Sequence, residues 1–168
     1  MKTNITIVSL LADYSKDVCK ALADRLDMYY VDVQGMMEFN LVNDKEVIEI
    51  CGVEYLNKLQ AKAIADVSEY DNAVIALDFK FLSSEKNVKN LKVRSSIIYL
   101  AMSEKVFTKT FEKYKTEETE NDDVVVLSAI EEQDKIAREL SDIVIDVDKA
   151  NDKGLVKKII KTIEKYYE

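Results

Sequence analysis

Histidine, proline and tryptophan are absent from this chain, and glycine occurs only at Gly35, Gly52 and Gly154. Without histidine, the commonest general base and metal ligand is missing, so catalysis would have to rest on carboxylate, lysine or tyrosine. Without proline, and with so little glycine, most turns must be made by Asn, Asp and Ser. The cysteines Cys19 and Cys51 are too far apart for a CxxC redox or zinc spacing and are expected as buried free thiols; no metal site is expected. Positive charge is also in deficit, with 32 acids against 24 bases and a net charge of -8. That balance works against phosphate backbones and anionic membrane surfaces, so neither nucleic acid nor membrane is expected as a partner. No apolar run is long enough for a signal peptide or a membrane span, which points to a soluble, cytoplasmic protein.

What is present is a regular alternation. At 168 residues and 48% hydrophobic, the chain is expected to fold as one domain that buries roughly 70% of its unfolded surface. Short runs rich in Val, Ile and Tyr at 5–8, 28–31, 73–77, 97–100 and 143–147 read as buried strands. Helical periodicity falls between them, at 15–26, 33–41, 44–50, 53–68, 84–92, 103–114, 128–140 and 153–167. Such alternation predicts a three-layer α/β/α fold with a five-stranded parallel sheet and right-handed crossovers. Asp44, Ser84 and Ser103 look like helix starts. The polar, acidic stretch 115–123 carries no apolar periodicity and reads as a mobile, lid-like loop.

The turn after the first strand reads Ser9-Leu10-Leu11-Ala12-Asp13-Tyr14-Ser15-Lys16-Asp17, without a glycine. In α/β proteins that open strand, turn, helix, nucleotide-binding enzymes cradle phosphate here with backbone N–H groups, which needs glycine at strained φ/ψ. Lys16 is expected as a solvated residue at the helix start. Asp32, after the second strand, is expected to cap the following helix. Tyr29, Tyr30, Met36, Met37, Tyr166 and Tyr167 lie in apolar patterns and are expected to pack.

Val18-Cys19-Lys20-Ala21-Leu22-Ala23-Asp24-Arg25-Leu26, Tyr30-Val31-Asp32-Val33-Gln34 and Gly52-Val53-Glu54-Tyr55-Leu56-Asn57-Lys58-Leu59-Gln60 follow one another in order. They lead to Asp71-Asn72-Ala73-Val74-Ile75-Ala76-Leu77 and then to Ala129-Ile130-Glu131-Glu132-Gln133 through Arg138 to Asp146. In this order and spacing the chain resembles shikimate kinase, of the nucleoside-monophosphate-kinase-like P-loop group, nearly end to end.

The departures fall at the positions where the resemblance places function. Walker A, Gly-x-x-x-x-Gly-Lys-Ser/Thr, becomes a degenerate nucleotide loop with Ser9 and Tyr14 at its glycines and Ser15 at its lysine. A one-residue slip would bring Lys16 into play, flanked by Asp13 and Asp17. On the substrate side, Asp32 matches the first aspartate of Asp-x-Asp, Gln34 the second, and Asn57 the carboxylate-binding arginine. The triple-glycine turn becomes Asp78-Phe79-Lys80, and the late-helix arginine becomes Gln133. Phosphoryl transfer stabilises developing negative charge with lysine, arginine and metal, and losing one such group commonly costs ~10²–10³ in rate. The resemblance with these losses implies a catalytically inactive relative, a pseudokinase needing no cofactor, that acts through another protein. A small-metabolite sensor using the pocket of Asp32, Gln34, Asn57 and Gln133, and an active small-molecule kinase, are the alternatives; a homodimer is left open.

Overall fold

The five apolar runs form five strands because β-branched and aromatic residues suit a pleated surface buried on both faces. The computed structural model describes residues 2–38, 43–114, 123–149 and 153–168, the side chains of 123–129 excepted. In it, β1 (Asn4–Ser9), β2 (Tyr29–Asp32), β3 (Ala73–Asp78), β4 (Ser95–Met102) and β5 (Ile143–Val147) make one parallel sheet in the order β2-β3-β1-β4-β5. β1 is buried throughout and β4 as far as Ala101, whereas β5 at the edge alternates buried and exposed positions.

Helices connect the strands: α1 (Ala12–Leu26), α2 (Val33–Glu38), α3 (Asp44–Cys51), α4 (Val53–Ser68), α5 (Glu85–Arg94), α6 (Glu104–Tyr114), α7 (Asp123–Leu140) and α8 (Leu155–Tyr167). A 3-10 turn, Phe79–Ser83, follows β3 and was not expected from the periodicity. The sheet divides two apolar cores. One gathers Ile64, Ile75, Phe81, Leu91 and Tyr99 on the α4 and α5 side; the other gathers Ile7, Leu22, Ile98, Phe107 and Ile159 on the α1 and α8 side.

Several local expectations need correction. The cap of α3 is Asn43, whose side chain accepts the Glu46 N–H at 3.1 Å, rather than Asp44. Cys51 is exposed, while Cys19 is buried as expected. Tyr29, Tyr166 and Tyr167 are largely exposed, Tyr29 because β2 is an edge strand. The Tyr167 hydroxyl still hydrogen-bonds Ser96. The loop expected at 115–123 lies outside the described residues up to 122, and Asp123 opens α7. Among the described residues no helix is long and apolar enough to cross a membrane.

At the opposite end of the sheet from the strand tips, Asp142 accepts the Ile97 N–H at 3.0 Å and pairs with Lys2 at 2.9 Å and Lys92 at 3.2 Å. Burial alone would raise the Asp142 pKa; the Ile97 N–H and the two lysines outweigh it and hold the carboxyl below the usual aspartate value. A depressed folded-state pKa contributes stability above the unfolded value of about 3.9 and loses it as pH falls through the folded value. Asp142→Asn is therefore expected to lower stability at pH 7 by roughly 1–3 kcal/mol. It should also flatten the acid limb below about pH 4, as read by urea unfolding across pH.

Candidate functional site

Strand order reverses about β1, and open α/β sheets place ligands in the crevice outside the carboxyl ends of the strands at such a point. Ser9 closes β1 opposite Asp78 of β3, and Asp32 closes β2 opposite Ala76. The residues singled out from the sequence therefore divide into those at these strand tips and those that lie elsewhere.

The turn between β1 and α1 closes on itself through two serines. Ser9 Oγ donates to the Leu11 carbonyl at 2.7 Å, accepts the Leu11 N–H at 3.1 Å and accepts from Ser15 Oγ at 2.7 Å. Both serines are about 1% exposed, so the hydroxyls spend themselves on the turn. No residue of the turn has positive φ, so the concave row of N–H groups that alternating right- and left-handed residues provide is not formed by the loop. Tyr14, at a glycine position of the motif, is buried in the α1-side core with its ring edge-on to Tyr114 at 6.0 Å between centroids.

One anion-facing element survives. α1 begins after Leu11, which has extended backbone and supplies no capping side chain. A helix start without a side-chain cap keeps N–H groups available at the positive end of the helix dipole, the arrangement that receives phosphate. Asp13 in the first turn offsets part of that potential.

Lys16 is not the solvated residue expected. Its ammonium lies 3.3 Å from Asp32 Oδ2 and 3.6 Å from Asp13 Oδ1, with the Lys16 and Asp32 side chains each 23% exposed. Burial would lower the Lys16 pKa, but Asp32, then Asp13 and Glu38, hold it above the usual lysine value. Lys16 and Asp32 are 16 positions apart, so no local pattern announced the pairing; the parallel placement of β1 and β2 on either side of β3 makes it.

Asp32 caps α2 as expected, accepting the Gly35 N–H at 3.0 Å. A Cβ on Gly35 would stand 2.9 Å from Asp32 Oδ2 and 3.1 Å from its Cγ. Gly35→Ala should therefore push the carboxylate off both the N–H and Lys16. The lost cap outweighs the gain in helix propensity, for a net destabilisation of roughly 1 kcal/mol. A lowered melting temperature checks this; an unchanged or raised one would mean that the carboxylate moves without loss.

Gln34 Nε2 donates to Glu38 at 2.7 Å, while its Oε1 is buried without a hydrogen-bond partner. A buried acceptor left unsatisfied costs about 1–3 kcal/mol, which a ligand hydroxyl would relieve. Asp78 caps the turn that follows it, accepting the Lys80 N–H at 3.2 Å. Phe79 packs against the α4-side core. Lys80 pairs with Asp44 at the start of α3 and sits 5.5 Å from the Phe81 ring centroid. That pairing ties α3 to the turn after β3, and no sequence signal linked residues so distant. Asn57 is exposed on α4 and Gln133 half-buried on α7, neither hydrogen-bonded to a described residue. Of the four polar residues expected to form a pocket, Asp32 and Gln34 lie together at the tip of β2 and the start of α2, while Asn57 lies on α4 and Gln133 on α7.

The family that the chain resembles holds Mg²⁺ with its nucleotide. Here the Lys16 ammonium already stands between the two carboxylates, Asp17 follows it in place of Ser or Thr, and the described residues contain no group of three metal-ligating side chains. The residues present do not fit a protein-held magnesium ion.

An open α/β sheet with its crevice at the tips of β1, β2 and β3 is the architecture of small-ligand-binding α/β proteins. The family model for shikimate kinase matches residues 16–164, and the chain belongs to the shikimate kinase family. The match begins at Lys16, just past the serine-closed turn. Shikimate kinase of Vibrio parahaemolyticus is 25% identical over 167 residues, covering 97% of both chains. That of Alkaliphilus oremlandii is 29% identical over 101 residues, 60% of each. Among solved structures, shikimate kinase from Acinetobacter baumannii in complex with shikimate superposes with a TM-score of 0.83 at 18% identity, over 98% of this chain and 94% of that one. Shikimate kinase from Aquifex aeolicus gives 0.75 at 22%, over 96% of each. The sequence relatives that match almost the whole chain are named as enzymes, and this overturns the expectation that the chain is not one.

Proposed function

We propose that the protein is a slow small-molecule kinase that takes a hydroxylated metabolite at the tips of β1, β2 and β3. The observation that carries this reading is Lys16, held over the crevice by Asp32 beside the uncapped start of α1. Together these are the groups able to receive a phosphate. Gln34 Oε1, buried and unpartnered, suits a substrate hydroxyl. Asp32 keeps Lys16 in place and offers a second acceptor at the strand tip. No step is drawn through a metal ion.

With the glycine loop replaced and no arginine at the substrate positions, the rate should fall at least ~10² below that of relatives with the full motif. Calorimetric titration with Mg²⁺-ATP and with shikimate, together with ADP release in their joint presence, tests the reading. Binding of both with slow ADP release supports it. Absence of ATP binding and of ADP release overturns it, and shikimate binding alone would then leave a metabolite-binding protein.

A further inference from the structure

On the outer side of the sheet, α1 and α8 leave between them a groove of about 510 Å³. Its floor is apolar, formed largely by Val156 and Ile160, and its rim carries Arg25, Lys153, Lys157 and Lys161. No carboxylate is among its lining residues, and none of the four cations makes an ion pair with a described residue. In a chain with a net charge of -8, four cations over one apolar strip, none paired with a described residue, are a local reversal of the overall field. Many of the other cations are matched to carboxylates, Lys158 on the same helix included.

The groove is separate from the crevice described above. Ala21, on its wall, lies nine residues along α1 from Ala12, roughly 14 Å at the helical rise. Lys157 and Lys161 stand one turn apart on α8, their attachment points about 6 Å from each other, and Lys153 precedes the helix in the turn before Gly154. A compact anion such as free phosphate would engage one or two of them and leave the apolar floor wet. An acidic amphipathic helix matches both features, with carboxylates one turn apart facing the rim and aliphatic side chains between them on Val156 and Ile160.

We propose that the groove between α1 and α8 docks an acidic amphipathic helical segment of a partner protein. Charge complementarity sets its orientation and on-rate, and the apolar floor supplies the contact that charge alone would not.

The probe is a synthetic, fluorescently labelled helix with Glu at i, i+4 and i+8 and Leu between, titrated with the whole protein and read by anisotropy. Saturable binding that weakens about tenfold or more in the Lys157→Glu/Lys161→Glu variant supports the proposal. The far-UV spectrum and melting temperature of the variant should match the parent, since both side chains are exposed. Absence of binding to the parent overturns it, as does equal affinity for polyglutamate without leucine, which would remove the role of the floor. Tighter binding of inorganic polyphosphate or of duplex DNA at the same salt also overturns it. So does sedimentation of the parent as a dimer and of the variant as a monomer, which would make a second copy the occupant.

Discussion

Replacing Lys16 with methionine is expected to reduce ADP release by ~10²–10³ and to weaken Mg²⁺-ATP binding, with little change in far-UV spectrum. Methionine keeps the aliphatic stem and removes the ammonium held by Asp32 and by Asp13 of the first turn of α1. The effect is large because the motif position for lysine holds Ser15, whose hydroxyl is buried against Ser9. Lys16→Arg, with its charge retained, should recover part of the loss. An alkaline titration separates positioning from packing. Asp32 raises the Lys16 pKa, so this pair's contribution to stability is present below the unfolded lysine value of about 10.4 and is lost as pH rises through the folded one. Lys16→Met should lack that alkaline limb. Turnover unchanged in Lys16→Met would sink the role given to this residue.

Phe81→Ala is expected to destabilise the protein by about 3–5 kcal/mol in urea unfolding. Phe81 is fully buried in the α4-side core, in the 3-10 turn that β3 feeds directly. Truncation leaves a cavity beneath Lys80, and the Lys80–Asp44 pair rides on the same turn. Phe81→Leu keeps most of the volume and should cost under about 1.5 kcal/mol. If the two variants were equally mild, the turn would have collapsed onto the gap and the core would be less tightly packed than its burial indicates.

The alternation of apolar runs and helical periodicity was legible because the central strands are buried on both faces and each long helix buries one stripe. β5 and α4 were placed to the residue, and the other strands within two residues. Boundaries drifted where backbone hydrogen bonds, rather than side-chain pattern, decide the end: α1 begins at Ala12, before its apolar stripe becomes visible. The capping role of Asp32 was also legible, since a carboxylate just before a helix has a local partner three residues on.

Lys16 shows where such reasoning stops. Its local neighbours, Asp13 and Asp17, made it read as a surface residue, whereas the crossover between β1 and β2 brings Asp32 against it from a different part of the chain. Lys80 and Asp44 repeat the lesson over a longer separation. The basic groove is similar: α8 alone displays its lysines, but only packing against α1 sets Arg25 opposite them and supplies a floor.

By itself, then, the sequence determined the sheet, its parallel sense, the missing glycine turn and the family resemblance, because these rest on periodicity and on residue type at local spacings. Tertiary structure alone decided which cation faces which carboxylate, and that Ser9 and Ser15 close the turn together. Those outcomes depend on distances between residues far apart in the chain, which periodicity does not encode.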